Sequence, residues 1–376
     1  MAIILFTGVC FSEQLEAPLR PPHVLAGPEA PDELTLIAVG DNLYHDVMVQ
    51  PYSTNADFDF APNYEFVKPL VQAADIAFVN QETMLGGTPF ELSGYPAFNS
   101  PQEVGEALIK VGFDVINQAN NHSMDKGARL VRATMDFWDK HPEVQYLGIF
   151  RSQEARAAKR IIERKTMKIG FLSYTYGLNG IPLPKDQPYL VALIDTDVMA
   201  KEIDALRPLC DYLVVSMHWG NEGDARVSAA QERLSRFLAD HQVDLIIGHH
   251  PHVLQPVATL PRRGGGTTHC FYSLGNFLSA QIPNSAMLGG MMYLKLRKSA
   301  TGITVVESGV LPLVTHFERG FAKIRVYPLY AYSNELAQKH RRNASGNEIS
   351  MAYFNRTAQT ILGAALLTRN PFTPQP

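Results

Sequence analysis

Short apolar runs alternating with amphipathic segments limit the fold of this chain more than any other feature. Strand-like runs stand at 34–40 (LTLIAVG), 75–80 (DIAFVN), 113–120 (FDVINQAN), 167–174 (MKIGFLSY), 211–220 (DYLVVSMHWG), 243–250 (VDLIIGHH) and 270–277 (CFYSLGNF). Helix-like segments separate them at 66–73, 102–111, 128–140, 196–206 and 225–240. Such alternation predicts an α/β fold, a sheet with helices packed on its faces. After residue 285 the rhythm changes. The runs 289–298 (GGMMYLKLRK), 302–313 (GITVVESGVLPL) and 322–329 (AKIRVYPL) follow with little helix between them, which predicts antiparallel strands and allows a second sheet. Residues 260–270 (LPRRGGGTTHC) read as a hairpin loop, because no GK[ST] and no helix follow the glycines. From Ser333 the periodicity is helical again.

Length and composition narrow the class. A chain of 376 residues can bury a large core as one domain or two. A hydrophobic content of 46% with 19% charged residues is globular, and a formal charge of −4 gives no general reason to expect nucleic acid as a partner. The three cysteines form no CxxC pair, and Cys210 and Cys270 read as buried thiols. The opening MAIILFTGVCF is too short to span a bilayer and lacks the Lys or Arg expected before a signal-peptide core. Pro18, Pro21, Pro22, Pro28 and Pro31 then suggest an extended tether. The expected organisation is a leader and tether over 1–32, a single α/β domain over 33–330 and a helical extension over 331–376. A leader of this kind favours the cell envelope or an extracytoplasmic site over the cytoplasm.

Polar residues recur where the apolar runs end: Asp41, Asn80 and Glu82, Asn120–Asn121–His122, His218, His249–His250 with His252, and Asn276. In open α/β sheets, sites form at the carboxyl ends of strands, so groups far apart in sequence can converge there. Carboxylate, imidazole and amide oxygen suit a divalent transition metal with mixed N/O ligands, and the absence of thiolate argues against a structural zinc site. A bridging carboxylate with neutral imidazoles is what two adjacent cations require. Plainer roles compete at single positions. Asp41 could cap a helix, His45 could lie on the surface, and His218 could be a core residue. Glu222 and Asp224 read as loop or substrate-facing groups, and the basic run KHRRN (339–343) as a solvated face or helix end.

The order GD…NxE…NNH…HWG…GHHPH…SLGNF resembles that of the bacterial capsule-synthesis protein CapA family, which is associated with poly-γ-glutamate. It is similar in layout to the calcineurin-like metallophosphoesterases, to which that family is related. The resemblance covers roughly residues 33–315. It implies a layered α/β/β/α sandwich, mixed sheets flanked by helices, and two divalent metal ions (Mn, Fe or Zn). Carried onto this chain, it makes Asp41 a ligand of the first metal, with His45 a further candidate, and Glu82 the bridge. Asn121 and His218 would bind the second metal, and His250 and His252 would complete the pair. His122 would stay off the metals and, with Asp125, act on the leaving group. His249 and Asn276 would support the ligands or face substrate. Two positions depart from the usual pattern: D-x-x-x-H replaces D-x-H, and Glu replaces the bridging Asp. The implied function is capsule or poly-γ-glutamate biosynthesis, with a phosphoester hydrolysed by metal-activated water. The alternative is a non-catalytic component that binds an anionic polymer through the same metals. Expected partners are that polymer or a phosphoester substrate, together with membrane-associated capsule-synthesis machinery.

Overall fold

The structure is a computed structural model and describes residues 32–50, 58–345 and 349–373. The expected leader and tether thus lie outside the described residues, Asp32 excepted. In the first sheet β1 (Glu33–Leu43), β2 (Ile76–Gln81), β3 (Val115–Asn117) and β4 (Gln145–Leu147) run parallel. The free edge of β1 pairs antiparallel with β12 (Leu288–Ser299), followed by β13 (Gly302–His316) and β14 (Arg325–Pro328). The second sheet runs in the order β5 (Ile161–Arg164), β6 (Met167–Thr175), β7 (Tyr212–His218), β8 (Leu245–His249), β10 (Thr267–Phe271), β9 (Val257–Pro261). Its β6, β7, β8 and β10 are parallel, and its two edge strands are antiparallel.

Alternation along β7 and β8 shows how the layers stack. Val214, Leu245 and Ile247 join the central core with β1 and β12. Leu213, Val215, Met217 and Ile246 point the other way. That outer face packs on Met199, Ile203 and Leu206 of α6 (Thr196–Leu206) and Leu238 of α7 (Ala229–Asp240). With period-two side chains, a sheet buried on both faces needs a partner layer on each. The first sheet is covered by α2 (Lys68–Ala73), α3 (Glu103–Val111) and the end of α4 (Gly127–Trp138), which follow the short α1 (Asp46–Val49). The expected α/β/β/α sandwich is therefore present. The short α5 (Gln153–Ala157) precedes β5; α8 (Asn334–Lys339) and α9 (Met351–Leu362) form the tail, and α9 buries Phe354, Ala358 and Leu362 in the central core.

Several expectations need correction. The strands after residue 285 make no separate sheet; β12 binds the edge of β1 and extends the first sheet. The run 270–277 is two strands in different sheets: β10 ends at Phe271, and β11 (Asn276–Ser279) pairs parallel with β1. The chain crosses between them at Gly275, whose φ of +63° lies in the left-handed region. The helix expected from residue 225 starts at Ala229, because Ser228 and Gln231 close a capping box that fixes the first turn. The strand expected over 113–120 is only Val115–Asn117, since the polar residues that follow turn into the site. The run KHRRN, read as a solvated face or helix end, does end α8, with His340 at its C-cap, but His340 itself is buried with Nε2 3.1 Å from the Thr315 carbonyl. The glycine hairpin at 264–266 is as expected, joining antiparallel β9 and β10.

Candidate metal centre

The geometry begins at Gly40. A Cβ there would lie 1.9 Å from the Gly275 carbonyl oxygen, so only glycine permits the approach. Pairing of β1 with β12 ends at Val39 and pairing with β11 begins at Asp41, while the register to β2 slips between the same two residues. This double irregularity re-aims the strand as a bulge does. It leaves Asp41 fully buried, level with Asn80 and Asn276. Asn80 Nδ2 donates to Asp41 Oδ1 at 2.7 Å, Asn117 Nδ2 donates to Asn80 Oδ1 at 2.7 Å, and Ser173 Oγ donates to Asn117 Oδ1. The His250 backbone N–H donates to Asp41 Oδ2 at 3.2 Å. A chain of amides thus holds the carboxylate from behind. Gly248 repeats the device on β8, where a Cβ would lie 1.9 Å from the Tyr272 carbonyl oxygen.

The histidines arrive from the second sheet. His218 ends β7 in register with His249 at the end of β8. His250 and His252 flank Pro251 with φ of +95° and +59°, two strained non-glycine residues within three positions. Such strain gathers at ligand-holding segments, where the surrounding contacts outweigh a cost of about 1–3 kcal/mol per residue. His252 Nδ1 lies 3.2 Å from Asp41 Oδ2 and 3.0 Å from Asn276 Oδ1, and its Nε2 lies 3.6 Å from Glu82 Oε1. His218 Nε2 lies 3.7 Å from Glu82 Oε1 and 2.7 Å from Asn121 Oδ1. Among the described residues three groups have donor atoms within 4.8 Å of one another: Asp41–Glu82–His252, Glu82–His218–His250 and Glu222–His250–His252. His249 stacks on Phe78 and stands 3.5 Å from Asp41 Oδ1, outside all three groups. His45 is also outside them, its Nε2 3.4 Å from Ser279 Oγ and its ring edge-on to Phe98.

Electrostatics set the cage apart. Both Glu82 oxygens, His218 Nδ1 and His250 Nδ1 are buried with no hydrogen-bond partner among the described residues. Each such orphan costs roughly 1–3 kcal/mol, so a cluster of them fits a bound positive group. Burial pushes the Glu82 carboxyl well above its usual range, and the Asp41 and Glu222 charges add to this while His252 opposes it. Burial would raise Asp41 too, but the imidazoles of His249 and His252 hold it well below the carboxylate range. Burial lowers His218 strongly, lowers His250 to about 3 and lowers His45 to about 4. For His252 burial is outweighed by Glu82 and Asp41, and its pKa is lifted to about 10. His218 and His250, kept neutral by burial, beside the carboxyl groups of Asp41 and Glu82 are donor types a divalent transition metal takes.

Beside the cage lies a second constellation. His122 Nδ1 is 2.8 Å from Asp125 Oδ2, and that carboxylate also accepts the Phe98 backbone N–H at 2.7 Å. The Phe98 ring packs edge-on against His122 at 4.7 Å. Asn179 links the two constellations, its Oδ1 accepting from Asn121 Nδ2 at 3.1 Å and its Nδ2 3.3 Å from His122 Nδ1. The sequence motifs gave no signal for Asn179 or Asn117. Tyr176, with its ring 4.6 Å from that of His250, had none either. Asn80 stood in NQE as a strand-end residue without a role.

The fold is a two-sheet α/β sandwich that gathers carboxylates, imidazoles and an amide at its strand ends, in groups that could hold a metal ion. The chain belongs to the bacterial capsule synthesis protein PGA_cap family, whose sequence model matches residues 35–281. Among its relatives, the capsule biosynthesis protein CapA of Bacillus anthracis is 31% identical over 212 residues, 54% of this chain and 49% of that protein. The PGA biosynthesis protein CapA of Bacillus subtilis (strain 168) is 29% identical over 248 residues, 64% of this chain and 62% of that protein. The matched region thus spans about half to three-fifths of these relatives. Similar solved structures include the calcineurin-like phosphoesterase YfkN of Bacillus subtilis, with TM-score 0.41, 16% identity and coverage of 75% of this chain and 90% of that one. A putative 5'-nucleotidase from Staphylococcus aureus has TM-score 0.47 and 13% identity, covering 74% of this chain and 54% of that one. Among the described residues no helix is long and apolar enough to cross a membrane.

Proposed function

We propose that the chain is a metal-dependent hydrolase of a phosphoester, working at the cell envelope in the making or handling of a capsule polymer such as poly-γ-glutamate. Glu82 carries this reading. Its buried carboxylate has no hydrogen-bond partner among the described residues and reaches toward His218 on one side and His252 on the other. A carboxylate so placed suits a bridge between two cations. Asp41, Glu82 and His252 would hold one, and Glu82, Asn121, His218 and His250 the other, with Mn, Fe or Zn fitting the mixed donors. Bound there, divalent cations supply Lewis acidity and acidify water near neutral pH. The chain itself handles the proton. Asp125 accepts from His122 Nδ1, which leaves Nε2 to carry a proton to the departing oxygen.

The test begins with elemental analysis of the purified full chain, followed by turnover of bis(p-nitrophenyl) phosphate and p-nitrophenyl phosphate after loading with Mn²⁺. His122→Ala should lower kcat roughly 10²–10⁴-fold with metal content unchanged. Loaded protein that turns over neither ester removes the hydrolase reading. The similar proteins of capsule and PGA biosynthesis suggest an anionic polymer as ligand, and a second reading has the cage grip polymer carboxylates without cleaving anything. Binding of poly-γ-glutamate that a chelator abolishes, without turnover, would select it.

A further inference from the structure

We propose that Glu222 is a displaceable ligand of this centre: a carboxylate on its solvent side that joins His250 and His252 at rest and yields to an anionic group of the substrate. The proposal rests on the metal-binding reading above and adds to it a residue and an exchange. Glu222 lies in the loop after β7, where the sequence suggests only a loop or substrate-facing group. In the fold, one of its carboxylate oxygens and one ring nitrogen each of His250 and His252 come within 4.8 Å of one another. His250 is 3% exposed and its Nδ1 has no hydrogen-bond partner among the described residues, so the histidine side of this group is a buried donor left unfinished.

The loop is built to keep that position. The Gly223 N–H donates to the carbonyl of Pro251, the residue between the two histidines, at 2.8 Å. The Trp219 N–H donates to the His249 carbonyl at 3.1 Å, and Trp219 Nε1 to the Tyr272 carbonyl at 2.9 Å. Gln255 Nε2 donates to the carbonyls of Asp224 and Arg226, each at 2.9 Å. Glu222 is therefore tied through backbone to the segment whose side chains it faces.

Its exposure sets it apart from the other two carboxylates. Asp41 and Glu82 are fully buried, whereas Glu222 is exposed. Releasing a buried carboxylate would strand its charge away from water, a large cost. Glu222 stays solvated when it lets go, so it is the ligand that a phosphate or carboxylate oxygen replaces most easily. The exchange swaps one anionic oxygen donor for another and breaks no covalent bond.

The test uses the demetallated full chain as wild type, Glu222→Gln and Glu222→Asp, titrated with Mn²⁺ by calorimetry and followed by electron paramagnetic resonance. Inorganic phosphate is then titrated into each Mn²⁺-loaded protein. Glu222→Gln should keep the stoichiometry but weaken one Mn²⁺ equivalent about tenfold or more, and Glu222→Asp should recover part of the loss. Phosphate should bind the loaded Glu222→Gln protein several-fold more tightly, with no carboxylate to displace. Identical Mn²⁺ isotherms for wild type and Glu222→Gln would overturn the ligand role and leave the metal-binding reading standing. Unchanged or weaker phosphate binding would overturn the displacement. A wild-type chain that takes up no Mn²⁺ would end both the metal-binding reading and this one.

Discussion

Among the described residues buried histidines gather at two places: the strand-end cage around His218, His250 and His252, and the junction of β13 with the tail, where His316 and His340 meet edge-on at 5.3 Å. At the tail His316 Nδ1 pairs with the Tyr332 hydroxyl at 2.8 Å, and His340 bonds the Thr315 carbonyl through Nε2 and the Arg342 N–H through Nδ1. These partners are neutral and the charged groups nearby are cations, so burial first, then each other and Lys323, Arg325 and Lys339, lower His316 to about 3. His340 falls to about 4, again chiefly through burial. In the cage, Glu82 and Asp41 reverse the sign and lift His252 to about 10. Burial alone makes a histidine a neutral packing residue. Carboxylates in reach, together with unpaired buried oxygens, distinguish a cation site from a histidine-rich core.

Three variants test this contrast. The largest effect belongs to Glu82→Gln, which removes the charge proposed to bridge the cations; both metal equivalents should be lost and turnover should fall roughly 10³-fold or more. His316→Gln should leave metal content unchanged by the same elemental analysis, and metal loss there would break the distinction. Next comes Phe354→Ala, which empties a fully buried position where α9 meets the core. It should cost about 3–5 kcal/mol in a urea melt without altering metal stoichiometry.

The smallest effect is acid sensitivity of the tail. His316 and His340 have folded pKa values below the unfolded value of 6.5, so their stabilisation is complete above about pH 6.5 and is lost as pH falls toward 4 and then 3. Between pH 7 and pH 5 each contributes a loss of about 2 kcal/mol. Urea midpoints at the two pH values should show a smaller drop for His316→Gln than for wild type. Equal drops would mean that the tail histidine does not titrate as its surroundings require.

The same division governs what could be read from sequence. Regular periodicity exposed β1, β2, β6, β7 and β8, and the polar residue after each apolar run exposed Asp41, Glu82, Asn121 and His218, because a polar side chain interrupts an otherwise apolar pattern. The three-residue β3 and β4 were blurred or missed, since so short a strand carries no period. The crossing at Gly275 was hidden because CFYSLGNF stays apolar through a change of sheet. Asn117 and Asn179 gained their roles from contacts 37 and 57 or more positions away in the chain, which no local pattern encodes. The basic run reads correctly as a helix end, but the burial of His340 is hidden because it depends on the tail folding back onto β13.

Anomalous diffraction from crystals of the Mn²⁺-loaded full chain tests the central claim most directly. Two peaks flanking Glu82, one within ligand distance of Asp41 and His252 and the other of Asn121, His218 and His250, are the result expected. No peak among these residues, or manganese bound only elsewhere on the molecule, would contradict the account.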